Sequence, residues 1–213
     1  MTVPGRVEAA SLLLSLDPQP WLVRHSRAVA EVAAWLATRI SGTGAAVDRR
    51  LVEAAALLHD ADKALPPGHP LRELPHGEGS AAWLTEQGHD ELSRAVANHP
   101  VTRLRDGDAY RRWASFATRE ERIVAYADKR AGQRLESMDA RFASWRRRYP
   151  PVEVGALAGR SHETWDARTF DAVRRRAARL EAEVCRAAGV APDRVGRLRW
   201  TARAIQAARP NRG

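Results

Sequence analysis

Cysteine is nearly absent from this chain of 213 residues: Cys185 stands alone, which excludes an internal disulfide and any cysteine-rich zinc module. Long apolar runs are missing too. No stretch approaches the roughly 20 residues that a membrane span needs. The early apolar segment Ala9 to Leu16 follows a single Arg6, runs into Asp17-Pro18 and has no small-residue cleavage site, so a secretory signal is not expected. The expectation is a soluble, cytoplasmic protein. Lysine is scarce as well, with only Lys63 and Lys129 among 35 basic residues, each in an Ala-Asp-Lys tripeptide. In so arginine-rich a chain that usage suggests that the ammonium itself matters at those two places. What is plentiful is apolar surface, 44% of residues, enough to bury a core and exclude a disordered chain.

Charge is unevenly placed. Residues 141–213 carry 17 arginines against 7 acids, whereas residues 1–140 are close to neutral. A basic C-terminal third of this kind attracts a polyanionic substrate or nucleic acid, unless it is simply a solvated helical surface. Strand-like alternation, internal repeats and low-complexity tracts do not stand out, and the period is helical throughout. A short helix ends near Leu16, and Asp17-Pro18-Gln19-Pro20 breaks it. A long one follows from Trp21 to Ile40, and Asp48 is placed to cap a third over Arg49–His59. Four prolines make 61–77 a loop. Two short helices follow over 79–87 and 90–98, and Thr118-Arg119-Glu120-Glu121 is a capping box that opens a helix running towards Leu135. Further helices are expected over 137–148, 165–188 and for about 15 residues from Asp193, with Tyr149-Pro150-Pro151 as the clearest boundary. The fold class is therefore all-α, divided into a body over 1–150 and a basic helical extension over 151–213 that follows a polar link.

Seven histidines are candidates for chemistry. His59-Asp60 closes an apolar helix, a pair that alone more often means a helix end than a metal site. The wider order is more specific: His25 on one helix, His59-Asp60 on the next, His76 after the loop, His99 before a proline, and Asp128 on a later helix. With the local words Arg24-His25-Ser26, Ala56-Leu57-Leu58-His59-Asp60 with Lys63, and Ala125-Tyr126-Ala127-Asp128-Lys129, the chain resembles the HD superfamily of metal-dependent phosphohydrolases over roughly residues 20–135. The resemblance implies an HD-type helical bundle. It also implies a first metal held by His25, His59, Asp60 and Asp128, and a second held by His76 and His99 with Asp60 bridging. Imidazole and carboxylate ligands suit Fe or Mn, with Mg, Co or Ni as alternatives.

Chemistry supports such a pair independently, because two cations about 3.5–4 Å apart can clamp a phosphate and acidify a water. Asp60 would then be catalytic through its bridge, and Lys63, three residues on, would meet a substrate phosphate or steady a ligand carboxylate. Lys129 is expected to have a supporting role. His69 rivals His76 as the loop ligand, His89 reads as the neighbour of a helix cap, and His162 lies outside the resemblance. Trp21, Trp35 and Trp83 read as core rather than base-stacking rings.

Among characterised HD groups the chain looks most like the bacterial symmetrical dinucleoside tetraphosphate hydrolases. It departs from them at His99-Pro100-Val101-Thr102-Arg103, where they have His-Thr-x-Gly, and at Lys129-Arg130-Ala131-Gly132-Gln133-Arg134, where they have a Glu-containing stretch. The expected partner is a phosphorylated small molecule, nucleotide-like, with the basic extension drawing it in. The alternative is a nucleic-acid-binding protein with a structural or degenerate metal site. Oligomeric state is not legible.

Overall fold

Side-chain caps set where several of the helices begin. The computed structural model describes residues 3–148, 150 and 165–209. Helix α1 spans Arg6–Ser15, and α2, Pro20–Gly42, starts with proline at its first position, where the missing N–H costs nothing. Asp48 caps α3 (Arg49–Leu58) by accepting from the Leu51 N–H at 2.9 Å. Thr118 and Glu121 form a reciprocal capping box on α7 (Arg119–Arg130). Between them lie α4 (Glu78–Glu86), α5 (Ser93–Ala97) and α6 (Gly107–Phe116). Then come α8 (Met138–Arg148), α9 (Ala167–Ala188), ended by Gly189 in the left-handed conformation, and α10 (Thr201–Ala208). The described residues contain no strand, only one isolated bridge between Ala131 and Leu135.

Helix α2 is the axis of the molecule. It packs on α3 and α7 through small residues, among them Ala30, Ala33, Ala54 and Ala55, all buried, which let the backbones approach closely. Helices α4 and α5 pair with each other, and α5 leans on α7 and α3. The C-terminal helices share this core: α9 packs on α7 and α2 through the buried Val173, Ala177, Leu180 and Val184, and α10 lies on α1. A polar strap reinforces the α9 contact, since Tyr126 Oη donates to Glu181 at 2.7 Å and Arg130 donates to Tyr126 Oη at 2.6 Å.

The structure departs from the sequence-based expectations in several places. Helix α7 stops at Arg130 rather than running towards Leu135, because Ala131 turns extended and a tight turn returns the chain so that Glu136 N–H donates to the Arg130 carbonyl. The last helix is α10 alone. Residues 195–200 are non-helical, Leu198 N–H donates to the Glu31 carbonyl, and Gly196 sits where a Cβ would fall 2.8 Å from the Trp35 indole nitrogen. The loop 61–77 contains two 3-10 turns, Ala61–Ala64 and Pro70–Arg72, and a third, Asp90–Leu92, precedes α5 in place of a continuous helix. Helix α6, capped by Asp106, falls in a stretch for which the sequence reading proposed no element. The polar link over 151–164, with Pro151 and His162, lies outside the described residues.

Candidate metal centre

Three helices deliver the first half of the site. His25 sits one turn into α2, His59 and Asp60 follow the last turn of α3, and Asp128 lies in the final turn of α7. His25 Nε2 is 3.3 Å from Asp60 Oδ2, 3.5 Å from Asp128 Oδ1 and 3.1 Å from His59 Nε2. The other half comes from the turn before α4 and the end of α5. His76 Nε2 and His99 Nε2 are 3.1 and 3.4 Å from Asp60 Oδ1, and 3.2 Å from each other. Asp60 therefore stands between two histidine pairs, with one carboxylate oxygen turned to each. All six residues named from the sequence converge, although they span positions 25 to 128. His69 does not join them; it caps a 3-10 turn, with Nδ1 accepting from the Leu71 N–H.

The far nitrogen of each ring is fixed. Nδ1 of His25, His59 and His99 faces the carbonyls of Gly132, Ala56 and Val96 at 2.7, 2.8 and 2.6 Å, and a carbonyl can only accept. His76 Nδ1 faces Asp62 Oδ2 at 2.9 Å. With the proton on Nδ1, a neutral ring presents a bare lone pair at Nε2, which is the tautomer that binds a metal. Two such lone pairs 3.1 Å apart, and two more at 3.2 Å, repel unless a positive charge lies between them. Asp60 Oδ1 is buried without a hydrogen-bond donor, the situation of an atom waiting for a cation.

The carboxylates also bias the protonation of these rings. Burial works against charge on His25, but the Asp128 and Asp60 carboxylates prevail and raise it to about 9. Burial likewise opposes charge on His76, yet Asp60 and Asp62 lift it to about 9. Their partners move the other way, since burial drives His59 down to about 3 and also lowers His99. Within each pair the two rings are thus shifted in opposite directions. Asp60, buried beside Lys63 and the histidines, is held well below the usual carboxylate range, and Asp128 is held low beside His25 and Lys129.

The two lysines have separated roles. Lys63 Nζ donates to Asp60 Oδ2 at 2.8 Å while its side chain remains 38% exposed, so it can exchange that partner for a ligand. Lys129 is fully buried and donates to the carbonyls of His99 and Ala125 at 2.7 and 2.9 Å, tying the His99 backbone to α7, and burial lowers it to about 8. Asp62 is the residue that sequence reasoning missed. It orients the His76 ring and also accepts from the Gly77 N–H at 3.3 Å. Its signal lay in plain view, as a second acid two positions after Asp60.

The centre forms the floor of a cleft of about 600 Å³. Lys63, Arg72, Arg141 and Arg148 supply its positive charge, and Trp145, Trp165 and Phe170 form part of its wall. Trp21 lines it too and is 41% exposed, which corrects its assignment to the core; Trp83 is buried as expected. Not all of the C-terminal charge faces this cleft, since Arg176 donates to the carbonyls of Leu104 and Arg105 and Arg174 pairs with Asp139. No helix among the described residues is long and apolar enough to cross a membrane.

The HD domain family model matches residues 22–132, a little over half of the chain. No curated protein and no solved structure gives a significant match. HD domains are metal-dependent phosphohydrolases, and the buried His/Asp groups here fit divalent-metal binding.

Proposed function

The chain belongs to the HD-domain family, and on that premise we propose that it hydrolyses a nucleotide-like phosphoester or phosphoanhydride, with dinucleoside polyphosphates in the candidate class. The observation that carries this reading is the Asp60 carboxylate, whose two oxygens face two separate histidine pairs. His25, His59 and Asp128 would hold one cation, His76 and His99 a second, and Asp60 would be shared. The mixed imidazole and carboxylate set suits Fe or Mn, with Mg, Co or Ni as alternatives. When bound, such cations neutralise phosphoryl oxygens and acidify the attacking water.

The protein's own groups do the rest. Lys63 leaves Asp60 for a phosphate oxygen, so the charge that steadies the Asp60 carboxylate also receives the substrate. Asp62 and the three backbone carbonyls keep every ring aimed inward, and Lys129 holds the segment that carries His99. In this proposal the body over 1–150 carries the chemistry, and the extension over 151–213 completes the cleft and draws in a polyanion. The division is functional rather than one of packing, because α9 shares the core of α7.

Chromatographic analysis of the products from a panel of nucleotides and dinucleotides, which resolves nucleoside mono- and diphosphates as well as free phosphate, tests the proposal. Asp60→Ala is expected to abolish turnover with helix content retained, and Lys63→Gln to act mainly by raising KM. Full activity in Asp60→Ala contradicts the proposal. Tight nucleic-acid binding without any hydrolysis product would favour the nucleic-acid-binding alternative instead.

A further inference from the structure

Beyond residue 132, outside the matched family region, α8 and the start of α9 contribute a wall to the cleft whose composition matches no need of hydrolysis itself. Its rings are held in place from behind. Phe142, buried, meets Trp145 edge-on at 4.9 Å and Phe170 at 5.7 Å, and Trp165 lies 6.2 Å from Phe170. The Arg141 guanidinium lies 4.8 Å from the centre of the Trp145 ring. Two nitrogens of this wall, Arg141 Nε and Trp165 Nε1, are buried with no hydrogen-bond partner. Among the described residues, neither Arg141 nor Arg148 has a carboxylate within 4 Å. Unpaired donors, guanidinium groups without a close carboxylate and fixed rings together suit the binding of a ring and a phosphate of one molecule.

Packing of α8 against α9 would account for Phe142 and Phe170 alone. It does not account for Trp21, which enters the same lining from the first turn of α2 and is left 41% exposed. Nor does it account for guanidinium groups that meet no carboxylate within 4 Å beside a site that already carries carboxylates.

We propose that this wall is a base-binding subsite. Trp145 and Trp21 stack the heteroaromatic ring of a nucleoside phosphate, while Arg141 and Arg148 take the phosphate that leads from the ring to the Asp60 centre. The extension beyond the family region thereby sets substrate choice, and the metal-dependent hydrolysis proposed above supplies the reaction. The proposal rests on that reading for the position of the phosphate, but binding tests it separately.

Calorimetric titration of the full-length protein, as purified, with α,β-methylene-ADP and with methylenediphosphonate compares a ligand that has a base with one that lacks it, and neither can be hydrolysed at the methylene bridge. The base is expected to add about tenfold in affinity, the order found for one stacked ring. Trp145→Ala and Trp21→Ala should each remove most of that gain while leaving methylenediphosphonate binding in place, and Trp145→Phe should keep it. Arg141→Gln should weaken both ligands. Because Trp21 is exposed, its variant remains informative if Trp145→Ala fails to fold. Equal affinities for the two ligands, unchanged by the Trp21 variant, would overturn the proposal even if the enzyme hydrolyses phosphoesters freely. A base preference in a protein without hydrolytic activity would uphold the subsite and remove the reaction.

Discussion

Asp62 shows how much one carboxylate outside the ligand set can decide. It is buried, its Oδ2 fixes His76 Nδ1 at 2.9 Å, and its other oxygen has no partner. Such supporting partners typically govern metal affinity by about 10- to 100-fold. Asp62→Ala is therefore expected to weaken cation binding by about that factor, chiefly at the His76 side, with helix content unchanged. Calorimetric metal titration checks it, and an unaltered isotherm would show that the His76 ring needs no such anchor. The proton economy of the site gives a second expectation. His25 and His76 are raised to about 9, above the ordinary 6.5, so below about pH 9 each must lose a proton before it can bind a cation. Metal affinity should rise with pH up to about 9 and level off above it, with proton release visible as a buffer-dependent heat. The same raised values stabilise the metal-free fold fully below pH 6.5, and that contribution fades as pH climbs through 9. Thermal melts of chelated protein should show the decline.

At the scale of elements, α9 is the least obvious structural part. Leu180 is 1% exposed and packs where α9 meets the body. Leu180→Ala is expected to cost about 2–5 kcal/mol, since the packed surroundings collapse only in part around the space it leaves. Urea denaturation reads that directly; a loss below about 0.5 kcal/mol would mean that α9 is not integral to the core. The caps explain which elements were legible in advance. Asp48, Thr118 with Glu121, and Gly189 each mark a helix end that the structure reproduces, because their signals are local. The stop of α7 at Arg130 was not legible, as it depends on a turn closed by Arg130 and Glu136 and on the His25 ring bonding Gly132, more than 100 residues away. Nor was the break before α10, where Gly196 must fit against Trp35 and Thr201 reaches the buried Glu31 at 2.8 Å. The meeting of the six His and Asp residues could be expected from their order, whereas Trp21 as a cleft residue could not. On a helix wheel, an aromatic facing a ligand looks the same as one facing a core.

For the molecule as a whole, α2, α3, α7 and the segments around α4 and α5 converge on a single carboxylate, and two cations there would join parts of the chain that are distant in sequence. The most direct test is the metal content of the protein purified without chelator, set beside that of Asp60→Ala. The account predicts about two divalent cations per chain in the wild type, a marked loss in the variant, and a lower melting temperature for both the variant and chelated wild type, because a cation that binds only the folded state stabilises it. A wild-type protein that carries no divalent metal, takes up none on titration and melts at the same temperature with or without chelator would contradict it.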